Sequence, residues 1–215
     1  METTYFRDRV AMLSTPGHQA VQSDWRQSLP TLVGSSFTLR ELRPTDAVSL
    51  LSMLSAAEVA RFISPPPTTI DGYERFITWT QREREAGNYV CFGIVPAGMT
   101  TAIGLFQIHQ MEPGFATAEW GFALGSPYWG RGFFAEGARL VLDFAFDVLG
   151  VHRLEARAAV SNGRGNGALR KVGALQEGIL RRSLLRNGEY LDQVLWAIID
   201  SDRRQTRAYD GPSIH

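Results

Sequence analysis

The residues most able to do chemistry lie between positions 118 and 137, where the chain reads AEWGFALGSPYWGRGFFAEG. An alternating run ending at Leu124 enters a glycine-rich turn, and the turn opens an amphipathic stretch. The first turn of a helix carries unpaired N–H groups and a positive dipole end, and glycines let a ligand approach the backbone closely. Such a turn holds an anion, most often a phosphate. Residues 125–132 nearly match the nucleotide loop G-x-x-x-x-G-K-[ST]. Arg131 replaces its lysine, however, and Gly132 removes the hydroxyl that would hold magnesium. Gly130, Gly132 and Ala135 formally satisfy the dinucleotide pattern G-x-G-x-x-[GA], with Glu155 downstream. Against it, Pro127-Tyr128-Trp129 separates strand from glycines, and only about 80 residues follow, too few for a doubly wound domain. In the strand itself, alternation puts Ala118, Trp120, Phe122 and Leu124 on one face, and Glu119, Gly121 and Ala123 on the other. A carboxylate beside small residues leaves room for a ligand.

A third pattern, the acyl-CoA pyrophosphate loop [QR]-x-x-G-x-[GA], fits better. Tyr128-Trp129-Gly130-Arg131-Gly132-Phe133 resembles the loop of the GNAT superfamily of acetyl-CoA-dependent N-acetyltransferases, in the branch that includes acetyltransferases of ribosomal-protein N-termini. The resemblance runs, in family order, over roughly residues 36–200. It includes Phe37-Thr38-Leu39-Arg40 with Thr45-Asp46, Glu58-Val59-Ala60-Arg61-Phe62 before prolines, and Ala118-Glu119-Trp120-Gly121-Phe122. It continues through Ser161-Asn162, Lys171-Val172-Gly173-Ala174, Glu177-Gly178 and Tyr190-Leu191-Asp192. Three departures stand out. Trp129 replaces Gln or Arg, as is usual in this branch. Phe134 sits where Gly or Ala is expected, and Gly165 stands in place of the serine three residues after Asn162.

The resemblance implies acetyl-CoA as co-substrate, no metal, and a primary amine as acceptor, attacking directly within a ternary complex. The amine would belong to a protein or peptide N-terminus or to a small molecule. It further implies that Phe122, Ala123 and Leu124 pair with the pantetheine arm. Trp129, Gly130, Arg131, Gly132, Phe133 and Phe134 would meet the pyrophosphate, with Asn162 and Arg170 as further cofactor contacts. Glu119 is the candidate base, and a salt bridge is the plain alternative for it. Tyr190 is a candidate acid, with Tyr128 beside it. The missing serine and Phe134 also admit a catalytically silent acyl-CoA-binding module. An antibiotic-type or other small-amine acetyltransferase remains a further alternative, and a homodimer is compatible with the branch.

These residues need a scaffold, and the periodicity supplies one. A strand is expected at 36–40, a helix start at Pro44 with Thr45 or Asp46 as cap, a helical piece near 58–63, and a helix over 70–86 stopped by Gly87-Asn88. A meander follows at 89–95, 101–109 and 116–124. Then come a helix from Phe134 to Leu149, a strand at 153–160, a short helix near 166–172, and a hairpin turning at Asn187-Gly188. This is an α+β chain: one GNAT-type domain over 34–202, with a mixed, mostly antiparallel sheet flanked by helices. Residues 1–33 read as an extension, helical around Phe6, Val10 and Leu13, and 203–215 as a polar tail.

Composition bounds the function. The 215 residues are 44% apolar and 20% charged, and 22 basic balance 22 acidic groups, so bulk positive charge cannot drive nucleic-acid binding. No run approaches the roughly 20 apolar residues of a membrane span. The start, Met1-Glu2-Thr3-Thr4, lacks a signal-peptide pattern, and Cys91 is the lone cysteine, so a cytoplasmic location is expected. The four histidines show no metal spacing. The neutrality is a cancellation, because residues 1–130 hold 9 basic and 12 acidic groups, and residues 131–215 hold 13 and 10. Arg153, Arg157, Arg164, Arg170, Lys171, Arg181, Arg182 and Arg186 crowd a stretch with only Glu155 and Glu177, an expected anion side.

Overall fold

A computed structural model describes residues 24–186 and 188–203. The first strand, β1 (Leu32–Val33), falls within the stretch read as an extension, and Trp25 and Leu29 before it are buried in the core. Then come β2 (Phe37–Glu41), α1 (Ala47–Leu54), α2 (Ala57–Ala60) and α3 (Ile70–Ala86). The meander is β3 (Tyr89–Pro96), β4 (Gly104–Gln110) and β5 (Thr117–Leu124). It is followed by α4 (Phe133–Asp147), β6 (Arg153–Ala159), α5 (Gly163–Lys171), β7 (Leu175–Arg186) and β8 (Glu189–Ile199). The expected helix at Phe6, Val10 and Leu13 and the tail from residue 204 lie outside the described residues, as does Asn187. Arg186 pairs with Glu189, so two residues close the final hairpin, and Gly188 takes φ 82°.

Among the described residues eight strands form one sheet in the order β1-β2-β3-β4-β5-β6-β8-β7. Every neighbouring pair is antiparallel except β5 and β6, which run parallel. A parallel pair needs a crossover, and α4 supplies it. Its buried stripe of Ala138, Val141, Leu142 and Ala145 packs on one sheet face with Phe92, Phe106 and Trp120. On the other face α1 and α3 bring Leu50, Leu54, Tyr73 and Ile77 against Cys91, Val95 and Leu105. Covered on both sides, β3 is buried along its whole length, which is why YVCFGIVP reads as a continuous apolar run. No helix among the described residues is long and apolar enough to cross a membrane.

Two local expectations are corrected. Thr45 or Asp46 was expected to cap the first helix; Asp46 does hold the N-cap position of α1, but its carboxylate makes no capping bond to the helix and turns back toward the sheet. There it accepts from Arg40 at 2.8 and 2.9 Å, and from the amides of Arg43 and Ala102 at 2.7 and 2.9 Å. A fully buried carboxylate beside a guanidinium gains more from ion pairing than from a helix end. Burial alone would raise the Asp46 carboxyl. Arg40 and the two amides outweigh it and hold the group below the usual carboxylate range. The second correction is α5, which starts at Gly163 and not near 166, because Asn162 caps it through a bond from the Gly165 amide at 2.9 Å.

Candidate active site

The parallel pairing of β5 and β6 is short. It covers Thr117↔Arg153, Ala118↔Leu154 and Glu119↔Glu155, and stops there. Beyond Glu119, β5 stays with β4 (Gly121↔Gln107, Leu124↔Gly104), while β6 stays with β8 (Arg157↔Leu195, Ala159↔Gln193). The two strands therefore part and leave a gap in the sheet. Along Gly121 to Leu124, alternate N–H and C=O groups of β5 face this gap without a strand partner.

A cleft of about 620 Å³ opens there. Phe122 and Leu124, from the α4 face of β5, line it together with Ala123 from the other face. A cavity lined from both faces of one strand passes through the sheet, as the parting of β5 and β6 requires. The glycine turn forms the next wall. Gly125 stands so close to α1 that a β-carbon there would lie 2.8 Å from the Met53 sulfur. A short 3-10 turn over Ser126–Tyr128 follows, and the Trp129 indole N–H donates to the Leu124 carbonyl at 2.8 Å. Gly130 and Gly132 have φ of 73° and 86°, and open space lies where their side chains would be. Gly132 is the N-cap of α4 and offers no side chain to its first amides. Bare amides at the start of a 15-residue helix fit the pyrophosphate of an acyl-CoA.

The cations come from α5. Arg164 lies 4.2 Å from the centre of the Trp129 ring, and both Arg164 and Lys171 line the cleft. The helix start that presents them is tied down by asparagines. Asn166 donates to the Ala159 and Asn162 carbonyls, both at 2.9 Å, and accepts from the Trp196 indole at 2.9 Å. Gly165 now has a packing reason, because a β-carbon there would meet the Asn162 side-chain nitrogen at 2.5 Å. Phe134, the other departure, packs 4.4 Å from the Phe122 ring centre and forms part of the lining.

A further part of the lining comes from α2 and the turn after it, through Glu58, Val59, Phe62 and Ile63. The Glu58 carboxylate accepts from the Ser126 hydroxyl at 2.7 Å, a bond that holds it below the usual carboxylate range. Arg186, at the tip of the β7–β8 hairpin, donates to the carbonyls of Ala60 and Arg61 at the end of α2. Sequence reading assigned Glu58 no role. Its partner is 68 residues away, and only the closed fold shows that it faces the cleft.

Of the residues expected at the site, Phe122, Ala123, Leu124, Trp129, Gly130, Gly132, Phe134 and Asn162 line the cleft. Others stand outside that lining. Arg131 lies over the Tyr128 ring, Phe133 packs between Phe37 and Tyr128, and Arg170 lies over Trp196. Tyr190 is exposed on the hairpin with Arg182 over its ring, whereas Tyr128 lines the cleft. Glu119, the expected base, is also outside the lining: it stands at the last β5–β6 register pair before the strands part, one-third exposed, with Arg157 at 3.5 Å. Cys91 is buried, and burial pushes its thiol up, with Glu41 adding to the effect.

Comparison with known proteins bears on the fold and family. The family profile described as an acetyltransferase (GNAT) domain matches residues 36–175. A Bacillus subtilis (strain 168) protein carrying the name "Probable N-acetyltransferase YjcK" is 31% identical over 180 residues, covering 81% of this chain and 99% of its own. Two solved structures superpose over most of the chain. The ribosomal-protein-S5-alanine acetyltransferase from Vibrio fischeri has a TM-score of 0.72 at 20% identity, covering 80% of this chain and 98% of its own. Mycobacterium smegmatis RimJ in complex with CoA-disulfide has a TM-score of 0.70 at 22% identity, covering 84% and 93%.

Proposed function

The chain belongs to the GNAT acetyltransferase family, and on that premise we propose that it moves the acetyl group of acetyl-CoA to a primary amine by direct attack. The reading rests most on one observation: the cleft where β5 and β6 part is lined both by the uncapped glycine turn that starts α4 and by the acidic, apolar residues Glu58, Val59, Phe62 and Ile63. The phosphates of the co-substrate would meet the amides at Gly130 and Gly132, with Arg164 and Lys171 as counter-charges. The pantetheine arm would lie along the free edge of β5 at Phe122, Ala123 and Leu124 and bring the thioester into the gap. The amine would enter past Glu58, Val59 and Ile63.

The chemistry needs a neutral amine, a donor for the oxyanion and a proton for the leaving thiolate. Glu119 at the apex accepts one proton from the ammonium, directly or through water. The nitrogen lone pair then attacks the thioester carbon, forming C–N while the carbonyl electrons move to oxygen. An unpaired β5 amide faces that oxygen. Collapse breaks C–S, the sulfur leaves with its electron pair, and the nitrogen loses its second proton as the thiolate gains one. Tyr128, which lines the cleft and whose hydroxyl donates to the Met99 sulfur at 3.6 Å, is the candidate we take to deliver that proton. The acceptor we take first is a peptide N-terminus, since one structural neighbour bears the name of a ribosomal-protein alanine acetyltransferase.

Thiol release from acetyl-CoA, measured with peptides bearing free or blocked N-termini and with a panel of polyamines and amino sugars, tests the reading. The expected result is turnover with free N-termini, cut at least tenfold by Glu119→Gln. Turnover only with the small amines would move the acceptor class. A melting shift with CoA but no thiol release from any amine would sink the catalytic assignment and leave a binding module.

A further inference from the structure

Five charged side chains on β7, β6 and β5 alternate in sign and end at the apex of the gap. Arg153 binds Glu177 through Nη1 at 2.9 Å and Nη2 at 2.5 Å, and donates from Nε to Glu155 at 2.8 Å. These bonds hold the Glu177 carboxyl below its usual range and push the Arg153 guanidinium further up. The next link is looser. Arg157 reaches Glu155 at 3.6 Å with one nitrogen and Glu119 at 3.5 Å with the other. Arg157 and Glu119 are each one-third exposed. Glu119 and Glu155 are also register partners across the parallel pair, so without a cation between them two carboxylates would face each other on adjacent strands.

We propose that Arg157 is a positioning residue for acetyl transfer. It bridges Glu155 and Glu119, offsets the charge of the first, and holds the second in place at the apex, toward which an amine would come. The proposal rests on the acetyltransferase reading above. The alternating row ends on a carboxylate, so the next member is a cation, and the acceptor ammonium fits that place. The other groups around Glu119 do not substitute for Arg157. His109 lies opposite it on β4 with an exposed side chain, and Tyr89, next in the same row on β3, gives its hydroxyl to Gln107 at 2.5 Å. The guanidinium between the two carboxylates attracts both, whereas the Glu155 charge opposes that of Glu119 across the strand pair. Removing Arg157 alone leaves only the opposition.

The test is the pH dependence of kcat at saturating amine, which reports groups in the substrate complex. Glu119 works as a base only when ionised, so the acid limb marks where it loses activity. Arg157→Gln is expected to move that limb up by about one pH unit, roughly a tenfold loss on the acid side, with less than about threefold change on the plateau. Arg157→Lys should recover most of the shift. Adding Glu155→Gln to Arg157→Gln should bring the limb back, because the opposing charge is gone. Glu155→Gln alone should move it down, and serves if Arg157→Gln does not fold. A parental limb in Arg157→Gln, or a plateau loss without movement of the limb, overturns the proposal while leaving the acetyltransferase reading intact. No product from the parent protein with any amine overturns both.

Discussion

The indole N–H of Trp129 donates to the carbonyl of Leu124 at 2.8 Å, fastening the glycine turn to the end of the strand that borders the gap. The same ring carries the Arg164 guanidinium on its face, so one side chain joins the turn, the strand and α5. Trp129→Phe keeps an aromatic surface and loses the bond, worth about 1 kcal/mol net. The expected outcome is a rise of about fivefold in the KM for acetyl-CoA with little change in kcat, read by thiol release.

Gly132→Ala probes the cradle. Its φ of 86° is left-handed, and a side chain there is strained by about 1–2 kcal/mol even with open space around it. A methyl group at this N-cap also stands where a phosphate would approach the first amides of α4. Calorimetric titration with CoA should show at least tenfold weaker binding, and the melting temperature should fall by a few degrees.

Gly165→Ser restores the residue that the family pattern carries, yet it should not improve the enzyme. Its β-carbon would press on the Asn162 amide, which caps α5 and supports the Arg164 wall. The outcome expected is a lower melting temperature and weaker acetyl-CoA binding, checked by thermal shift with and without CoA.

Asp46→Asn tests the staple under α1. It leaves Arg40 buried without its counter-charge, a loss on the order of 3 kcal/mol in urea unfolding. The Asp46 carboxyl is depressed in the fold, so its contribution is complete above the unfolded value near 4 and fades as pH falls through the folded one. The parent should lose stability below about pH 4, and the variant should lose less over the same range, as unfolding titrations at several pH values would record.

Arg186→Ala frees the end of α2, because the hairpin tip then no longer holds the Ala60 and Arg61 carbonyls. The change falls on the α2 part of the cleft lining, where we propose that the amine enters. Amine KM should rise severalfold while the KM for acetyl-CoA holds, in initial-rate assays varying one substrate at a time.

Much of this protein is written locally. Alternation in residues 117–124, the helical stripe of Ala138, Val141, Leu142 and Ala145, and the Gly130-Arg131-Gly132 turn each follow from period or backbone freedom. Sequence by itself therefore determined most of the strands and helices, the glycine turn before α4 and the sheet face on which Glu119 stands, though not β1 or the start of α5. The early stop of the β5–β6 pairing was not legible, since hydrogen bonds between strands depend on register and twist across the sheet. Nor was the choice of cleft cations. Arg170 and Lys171 are neighbours in the chain, but on a helix about 100° separates them, and packing turns Lys171 to the cleft and Arg170 onto Trp196. Glu58 reached the cleft through Ser126, and Glu119 found Arg157, only once distant segments closed together. Short-range geometry is carried by neighbouring residues, whereas charge pairing needs side chains within a few ångströms in space, and only the tertiary structure decides which ones those are.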